Sequence, residues 1–366
     1  MSSLVRVPIL RHGMTKWDRE LLPQSEVDAR IARLRAAMQA EKLDALLVYG
    51  DMWHSGGLAY VTNFHPFDAR MPGFAVLTPT LLEAVLKVSS RDLTFISPFI
   101  WAPAQPSDFL ANDLAGQVED IIMREGLQTK RVGFAGAALM PPALAAAIKP
   151  IFPNGTIPAD ALLNALRAQK TSAERAILRL AATKGEAAIA EIAAHVAPGV
   201  NETELAAFAD YAARKAGAQD VEFLMHTQGD RMPATGNTSS FPFRPHTERA
   251  LERGEHVGVY LTLQFHGYWT ELSQSVYAGT PSAQQRAVYD SCVAAFDQQL
   301  EGTTPAGAVA VWTHGIGLDR EEGDASVTAA LHVAAERNGE RAFYGRTIAR
   351  EPAGNTILTA SLAKSA

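Results

Sequence analysis

The stretch PFRPHTERALERGEHVGVYLTLQFHGYWTELSQSVYAG, residues 242–279, decides the fold of this chain. Its middle alternates between apolar and polar side chains, which is the period of a β-strand with one face in a core. His266 and Gly267 are typical of a tight turn, and residues 268–277 then predict a returning strand. Such a hairpin brings Tyr260 and Glu271 within reach of one cleft. The apolar face comprises Val257, Val259, Leu261, Leu263 and Phe265, and the opposite face comprises Tyr260, Thr262, Gln264 and His266.

Length and composition bound the class of protein. The chain has 366 residues, enough for two domains with cores of their own. Its 47% hydrophobic and 20% charged residues are typical of a globular protein, and a net charge of −6 argues against nucleic-acid binding. The single cysteine, Cys292, excludes an intramolecular disulfide. The first 20 residues have neither a long apolar run nor a cleavage pattern, so we expect no membrane partner and a cytoplasmic location.

The first half of the chain alternates between helical and strand-like patterns. We predict a helix over residues 25–42, with Ser25 and Asp28 as a capping pair. Another helix is predicted over residues 111–125. Short strands are predicted at residues 43–49, 58–64, 73–77, 84–88 and 131–134. This alternation indicates an α/β domain.

The second half opens with three capped helices. Thr171 and Glu174 predict a capping box for a helix over residues 173–195, which Pro198 and Gly199 end. Asn201 with Glu204 starts a second helix that runs through residue 216. Ser282 with Gln285 starts a third, whose inner face is predicted to carry Val288, Cys292 and Ala295.

Several motifs resemble the pita-bread superfamily of creatinase, prolidase, aminopeptidase P and methionine aminopeptidase. These are LRAQKTSAERAILRLAA from residue 166, GEHVGVY…GYWTE within the hairpin, THGIGLDREEG from residue 313 and RTIAREPAGNTILT from residue 346. The resemblance implies a two-domain α/β (α+β) chain. Residues 1–160 would form a creatinase-type domain, and residues 161–366 a pita-bread domain with a curved antiparallel sheet and flanking helices, shortened after about residue 302. An alternative register would make residues 327–337 a helix and leave the last strands absent.

The metallopeptidases of this family hold two metal ions with five ligands, and the resemblance places those positions at Tyr260, Glu271, His314, Glu336 and about Gly345. A tyrosine is protonated near neutral pH, and a glycine has no side chain. We therefore expect no dinuclear metal centre and no cofactor. A single metal ion held by Glu271, His314 and Glu336 stays open as an alternative.

The resemblance also supplies the candidate site residues. We expect Glu271, His314, Glu336 and Tyr260 to be catalytic, because carboxyl, imidazole and phenol groups can transfer protons or stabilise an oxyanion. The cleft histidine of the family falls on Phe243, and family motif positions also fall on Tyr268 and Glu321. Loop residues that we expect to bind substrate are His226, Arg231, Arg244 and His246. A partner subunit would contribute Phe64, His65 and Arg70.

Three functions remain open from the sequence. The first is a metal-independent, creatinase-like hydrolase that cleaves a C–N bond in a small amino-acid-, amide- or guanidino-like substrate. The second is a lyase or isomerase on the same scaffold. The third is a pita-bread module that binds peptide or protein without catalysis. We expect a homodimer whose cleft is completed by the partner's N-terminal domain.

Overall fold

The computed structural model describes residues 13–107, 113–230, 242–305, 309–322, 327–351 and 354–358. The chain divides into two compact units, Met1–Gln169 and Lys170–Ala366. Among the described residues, no helix combines the length and apolar character needed to cross a membrane.

The first unit is a mixed six-stranded sheet with helices, in the strand order β4-β3-β2-β1-β5-β6. Strand β1 pairs parallel with β5 and antiparallel with β2. The strands are β1 (Ala45–Gly50), β2 (Gly73–Leu77), β3 (Leu82–Leu86), β4 (Ala104–Pro106), β5 (Val132–Ala135) and β6 (Ile157–Pro158). The helices are α1 (Gln24–Ala40), α2 (Gly56–Thr62), α3 (Ser90–Ile96), α4 (Leu114–Arg124), α5 (Pro142–Ile148) and α6 (Asp160–Ala168). This architecture confirms the α/β domain.

Two predictions for the first unit are wrong. Residues 58–64 do not form a strand, because Gly56–Thr62 is a helix that ends at Asn63 with a left-handed backbone. A short apolar run does not distinguish a buried helix from a buried strand, and here every residue of the run from Leu58 to Thr62 is buried. Ser25 does not cap α1, since the cap position is Pro23 and no side chain bonds to the helix end.

In the described part of the second unit, three helices pack on an antiparallel sheet with the strand order β10-β11-β12-β9-β8-β7, and β13 pairs with β12. The helices are α7 (Ser172–His195), α8 (Glu202–Lys215) and α9 (Ala283–Leu300). The strands are β7 (Asp220–Thr227), β8 (His256–Phe265), β9 (Tyr268–Tyr277), β10 (Val309–Gly315), β11 (Thr328–Arg337), β12 (Glu340–Glu351) and β13 (Gly354–Ile357). The strands after residue 327 overturn the alternative register, which placed a helix there.

Local sequence signals set these elements as predicted. Capping boxes start α7 at Thr171 and α9 at Ser282. The β8–β9 hairpin turns at His266 and Gly267, whose φ angles of 48° and 82° are those of a tight two-residue turn that matches the strand twist.

The two faces of this sheet have different roles. Val257, Val259 and Leu261 of β8 pack with α7 and α8 in one apolar cluster, and alternate residues of β11 and β12 pack with α9 in another. Because side chains alternate along a strand, the intervening residues of each strand share the opposite face. That second face, which we call the site face, carries Tyr260 of β8 and the polar residues described below.

Candidate active site

Strand register aligns an acidic residue of β9 with a histidine of β10 on the site face. Glu222 of β7 lies opposite Thr262 of β8, which lies opposite Glu271 of β9. Farther along the sheet, His314 of β10 lies opposite Ala330 of β11, and Ala330 lies opposite Thr347 of β12. The Thr347 hydroxyl accepts the backbone N–H of Glu271 at 2.9 Å. The row is therefore fixed by main-chain pairing, not by loops.

Glu271 lies between two imidazoles. Its carboxylate is buried, with 1% of the residue exposed, and Oε2 is 3.1 Å from Nε2 of His314. The same oxygen is 3.4 Å from Nε2 of His332 on β11. His332 is wholly buried, whereas 26% of the His314 side chain is exposed. Solvent thus reaches this cluster through His314.

Both nitrogens of His314 face acceptors. Nε2 faces the Glu271 carboxylate, and Nδ1 lies 3.1 Å from the carbonyl oxygen of Gly315. A neutral imidazole carries one N–H, so only the imidazolium donates to both. Burial lowers the pKa of His314, but the hydrogen bond and charge of Glu271 outweigh it and raise that pKa above its usual value. The pair favours a protonated His314.

The Glu271 carboxylate is correspondingly stabilised as an anion. Burial raises the pKa of Glu271, but the hydrogen bond and positive charge of His314, together with the N–H of His332, hold it well below the usual range. His332 is the neutral member, because burial lowers its pKa more than Glu271 raises it. Since a carboxylate only accepts, the favoured tautomer carries its proton on Nε2, and Nδ1 then accepts from the Ser273 hydroxyl at 2.8 Å.

Aromatic rings fill the site face beside these groups. Tyr260 packs on Phe243 with ring centroids 5.2 Å apart and on His332 at 5.5 Å. Trp312 stacks on His332 at 5.3 Å, and Phe343 packs on Phe243 at 4.8 Å. Burial and the charge of Glu271 raise the pKa of Tyr260 well above 10.0, so its hydroxyl stays protonated. Phe243, which falls on the position of the family's cleft histidine, is thus part of an apolar wall.

Two of the predicted residues lie elsewhere. Glu336 does not join Glu271 and His314, because it is exposed near the end of β11, just before the turn to β12. The mononuclear set that included Glu336 is therefore not assembled. Tyr268 points to the helix face, where its hydroxyl donates to Glu174 of α7 at 2.9 Å.

The predicted substrate-binding residues around β7 are also outside the cluster. Arg244 is engaged with Glu202 at 2.9 Å and with Asp230 at 2.8 Å, so its guanidinium is held by internal carboxylates. His226 is wholly buried against Phe343 and faces Gly258, four residues along β7 from Glu222. His246 is exposed on the segment after Arg244. Arg231 lies outside the described residues.

The remaining predicted residues divide between the two units. Glu321 is exposed, and its charge contributes to the raised pKa of His314. In the first unit, Phe64 and His65 are buried, and Arg70 forms a two-pronged ion pair with Asp68 at 2.9 Å. A contribution of these three residues to a site remains a prediction.

Sequence reasoning missed His332. It is the one ionisable side chain in the run TAALHVAA, and a polar residue within an apolar strand is the signal that marks it. Strand register explains its position, because His332 lies opposite Gly345, which lies opposite Ser273. The imidazole occupies the volume above Gly345.

Comparison with known families covers most of the chain. The family model for the Creatinase/Prolidase N-terminal domain matches residues 30–169, and that for Metallopeptidase family M24 matches residues 176–314. The chain belongs to the M24, or pita-bread, superfamily. Its fold confirms the predicted class, with a creatinase-type α/β domain followed by an antiparallel sheet with flanking helices.

Individual relatives of this M24 chain are distant. A Xaa-Pro dipeptidase from Pyrococcus furiosus is 25% identical over 146 residues, or 40% of each chain. The uncharacterized peptidase YqhT from Bacillus subtilis is 27% identical over 49% of this chain and 48% of its own. The chain thus aligns with half or less of the length of these two relatives.

Solved structures match over a longer span. The Xaa-Pro dipeptidase from Bacillus anthracis has a TM-score of 0.72 and 20% identity, covering 92% of this chain and 99% of its own. The X-Pro aminopeptidase from Thermotoga maritima has a TM-score of 0.73 and 19% identity over 92% of this chain and 98% of its own. At this identity the likeness establishes a shared fold.

The donor set does not fit the two-metal centre that the family implies. Tyr260 and Gly345 replace two carboxylates, and the imidazole of His332 takes the space between them. A Cβ built on Gly345 would lie 2.1 Å from Nδ1 of His332, so a longer carboxylate side chain has no room. Within the described ranges, no group of three or more His, Cys, Asp or Glu side chains is arranged to hold a metal ion. We derive no reaction step through a metal pair.

The close approach of Gly345 and His332 gives a direct test. Gly345→Ala should lower the free energy of unfolding by about 3 kcal/mol, because the new methyl group overlaps the imidazole and the surrounding strands are packed. Adding His332→Ala should recover part of that loss, since the Ser273 hydroxyl, whose Oγ is 2.6 Å from the same Cβ position, still has to rotate away. Chemical denaturation of the wild type, both single variants and the double variant measures this coupling. Additive effects would contradict the packing described here.

Proposed function

We propose that this M24 chain is a metal-independent hydrolase that cleaves a C–N bond in a small amino-acid-, amide- or guanidino-like substrate by side-chain acid–base chemistry. The observation that carries the proposal is the contact between a buried Glu271 and a partly exposed His314 at 3.1 Å. A carboxylate that orients an imidazole and stabilises its protonated form is the arrangement that catalytic triads use.

One imidazole can serve both halves of the hydrolysis. In its neutral form His314 keeps Nε2–H on Glu271 and accepts a water proton at Nδ1 as the water oxygen attacks the substrate carbon. The imidazolium that forms is stabilised by the Glu271 carboxylate. It then returns the Nδ1 proton to the departing nitrogen, so the C–N bond breaks, a C–O bond remains, and the imidazole is neutral again.

The surroundings of Nδ1 allow this exchange. Its neighbour, the Gly315 carbonyl, already accepts the backbone N–H of Glu322 at 2.8 Å. That carbonyl therefore stays hydrogen-bonded when Nδ1 turns to water or substrate. Tyr260, held neutral by burial and by Glu271, is the donor that we assign to the developing oxyanion.

Two further observations support a hydrolase over the alternatives. The relatives are named as peptidases or dipeptidases, names that denote cleavage of amide C–N bonds. The two family models match segments in both halves of this chain. The ionised Glu271 and the imidazole of His332 are also buried at some cost in solvation, which a surface used only for docking does not require.

The proposal is tested with protein treated with chelator and then freed of it by gel filtration. The substrate panel comprises Xaa-Pro dipeptides, N-acyl amino acids and guanidino acids, with products identified by mass spectrometry. We expect an amine and an acid (or urea) from at least one class, at a rate that chelator does not change. Turnover that appears only after Mn²⁺, Co²⁺ or Zn²⁺ is added would overturn metal independence, and an alkene or rearranged product would indicate the lyase or isomerase.

A further inference from the structure

Strand β10 is a terminal strand of the sheet in the second unit. It pairs with β11 on one side, and among the residues that the structure describes its other side is paired only at its end, between Gly315 and Glu322. The Glu322 N–H donates to the Gly315 carbonyl at 2.8 Å, so the backbone groups of Gly315 point outward. Because these groups alternate in direction along an antiparallel strand, those of Val309, Val311 and Thr313 point outward as well. A row of backbone donors and acceptors therefore lies along this edge.

The other terminal strands of the two sheets carry features that oppose pairing with another chain. In the first unit β4 has three residues and includes Pro106, and β6 has two residues and includes Pro158. In the second unit β7 carries two acidic side chains, Asp220 and Glu222. Short strands, prolines and charges are the usual means by which proteins keep a sheet edge from adding a strand. These three edges are therefore protected.

Strand β10 has none of these features. It has seven residues, contains no proline, and its one ionisable side chain is that of His314. The residues whose backbone groups point outward, Val309, Val311 and Thr313, are all β-branched, a side-chain type that favours strands. Thr313 is exposed, and the two valines are half-buried against the cluster of α9. An edge of this length and composition is suited to pairing with a further strand.

The sequence of β10 is complementary to itself when two copies run antiparallel about Val311. Val311 then lies opposite Val311 of the second copy, and Val309 lies opposite Thr313, so the pairs on the helix face are all β-branched. On the site face Ala310 lies opposite Trp312, which sets a small side chain against a large one. Since the backbone groups of Val311 point outward, the central pair exchanges both of its hydrogen bonds. Cross-strand pairs of these types stabilise antiparallel strands, and no like charges face each other.

We propose that the partner of β10 is a second copy of this chain, and that the two β10 strands pair antiparallel about a two-fold axis at Val311 to form one continuous sheet. The contact between Gly315 and Glu322 limits this pairing to residues 309–313. A two-fold axis lets one surface satisfy itself, and homodimers of this symmetry are the commonest soluble assemblies. Self-complementarity favours a second copy over an extended segment of another protein. The interface is independent of the proposed function, and it differs from the one expected through the N-terminal domain.

Charges placed on the axis test both the partner and the register. Val311→Lys and Val311→Glu each set two like charges opposite each other, which opposes strand pairing. Either variant alone should therefore have half the mass of the wild type, measured by multi-angle light scattering after gel filtration. An equimolar mixture of the two variants should regain the wild-type mass, because opposite charges then face each other across the axis. Native mass spectrometry identifies the mixed species by its mass.

Substitutions at the exposed Thr313 test the hydrogen bonds without changing the valines. Thr313→Pro removes an outward N–H, which an edge strand tolerates, and should also halve the mass. Thr313→Val keeps that N–H and is the matched control, so its mass should equal that of the wild type. This pair carries the test if the charged variants do not fold, as judged by circular dichroism.

Three outcomes would overturn the proposal. The first is a monomeric wild type. The second is a wild-type mass in folded Val311→Lys or Thr313→Pro, since the copies would then associate through another surface. The third is a mixture of folded Val311→Lys and Val311→Glu that stays at half the wild-type mass, because Val311 would then not lie on the axis.

Discussion

Replacing Glu271 by glutamine should lower kcat/KM for C–N hydrolysis by about ten-thousandfold, the loss found when a triad carboxylate becomes an amide. The neutral amide cannot stabilise the imidazolium that forms as water attacks. It can also turn its NH₂ group toward Nε2 of His314 and so favour the wrong tautomer. The fold should persist, because glutamine has nearly the same shape and the backbone of Glu271 keeps its bond to Thr347.

The pH profile distinguishes loss of this base from general damage. Glu271 raises the pKa of His314 above 6.5, so kcat/KM should rise with pH through a pKa above that value as His314 loses its proton. In Glu271→Gln the raising influence is gone, and the residual activity should titrate at lower pH. An unchanged profile would mean that another group is the base.

Two variants control this experiment. His314→Ala should be at least as inactive as Glu271→Gln, since the carboxylate acts only through the imidazole. Glu174→Gln changes a carboxylate that is equally buried, at 1% exposure, but lies on the helix face against Tyr268. It should keep its turnover. Full activity in Glu271→Gln would refute the site assignment, whatever the behaviour of the control.

The sequence predicted those parts of the second unit in which neighbouring residues determine the structure. The alternation in β8, the His266–Gly267 turn and the capping boxes at Thr171 and Ser282 each act within a few residues. They place Glu271 on the site face, and a one-residue slip would have buried it against the helices. His314 was identified by motif, because the glycines around it are typical of the family.

Register between distant strands is what the sequence could not supply. Whether Glu336 or His332 contacts Glu271 depends on how β9, β11 and β12 pair. The sequence analysis chose Glu336, which lies four residues beyond His332 on β11 and does not reach the site. The same applies to Arg244, whose partners Glu202 and Asp230 lie 42 and 14 residues away. Long-range ion pairs leave no local pattern.

Glu202→Gln should lower the free energy of unfolding by about 3 kcal/mol, since a buried carboxylate loses charge-assisted hydrogen bonds from two arginines. Glu202 is wholly buried at the start of α8. Its carboxylate accepts from Arg244 at 2.9 Å, from Arg249 at 3.2 Å and from the backbone and hydroxyl of Thr247. The variant leaves two guanidinium groups beside an amide that carries no charge.

The stability lost in Glu202→Gln should depend on pH in a defined direction. Burial raises the pKa of Glu202, but the hydrogen bonds from Arg244 and Thr247 outweigh it and lower that pKa from 4.5 to about 2. Because the folded-state pKa is depressed, this stabilisation is present above pH 4.5 and is lost as the pH falls toward 2. The difference between wild type and Glu202→Gln, from urea unfolding at several pH values, should therefore shrink across that range. Titrating groups that do not contact Arg244 or Arg249 cancel in the difference.

Glu204→Gln separates the ion-pair cluster from the helix dipole. Glu204 lies in the same first turn of α8, where any carboxylate is favoured, but 59% of its side chain is exposed. Its replacement should cost less than about 1 kcal/mol. Comparable losses in the two variants would mean that the position in the helix, not the pairing with Arg244 and Arg249, explains the buried carboxylate. Arg244 would then be available for substrate, as its sequence context had indicated.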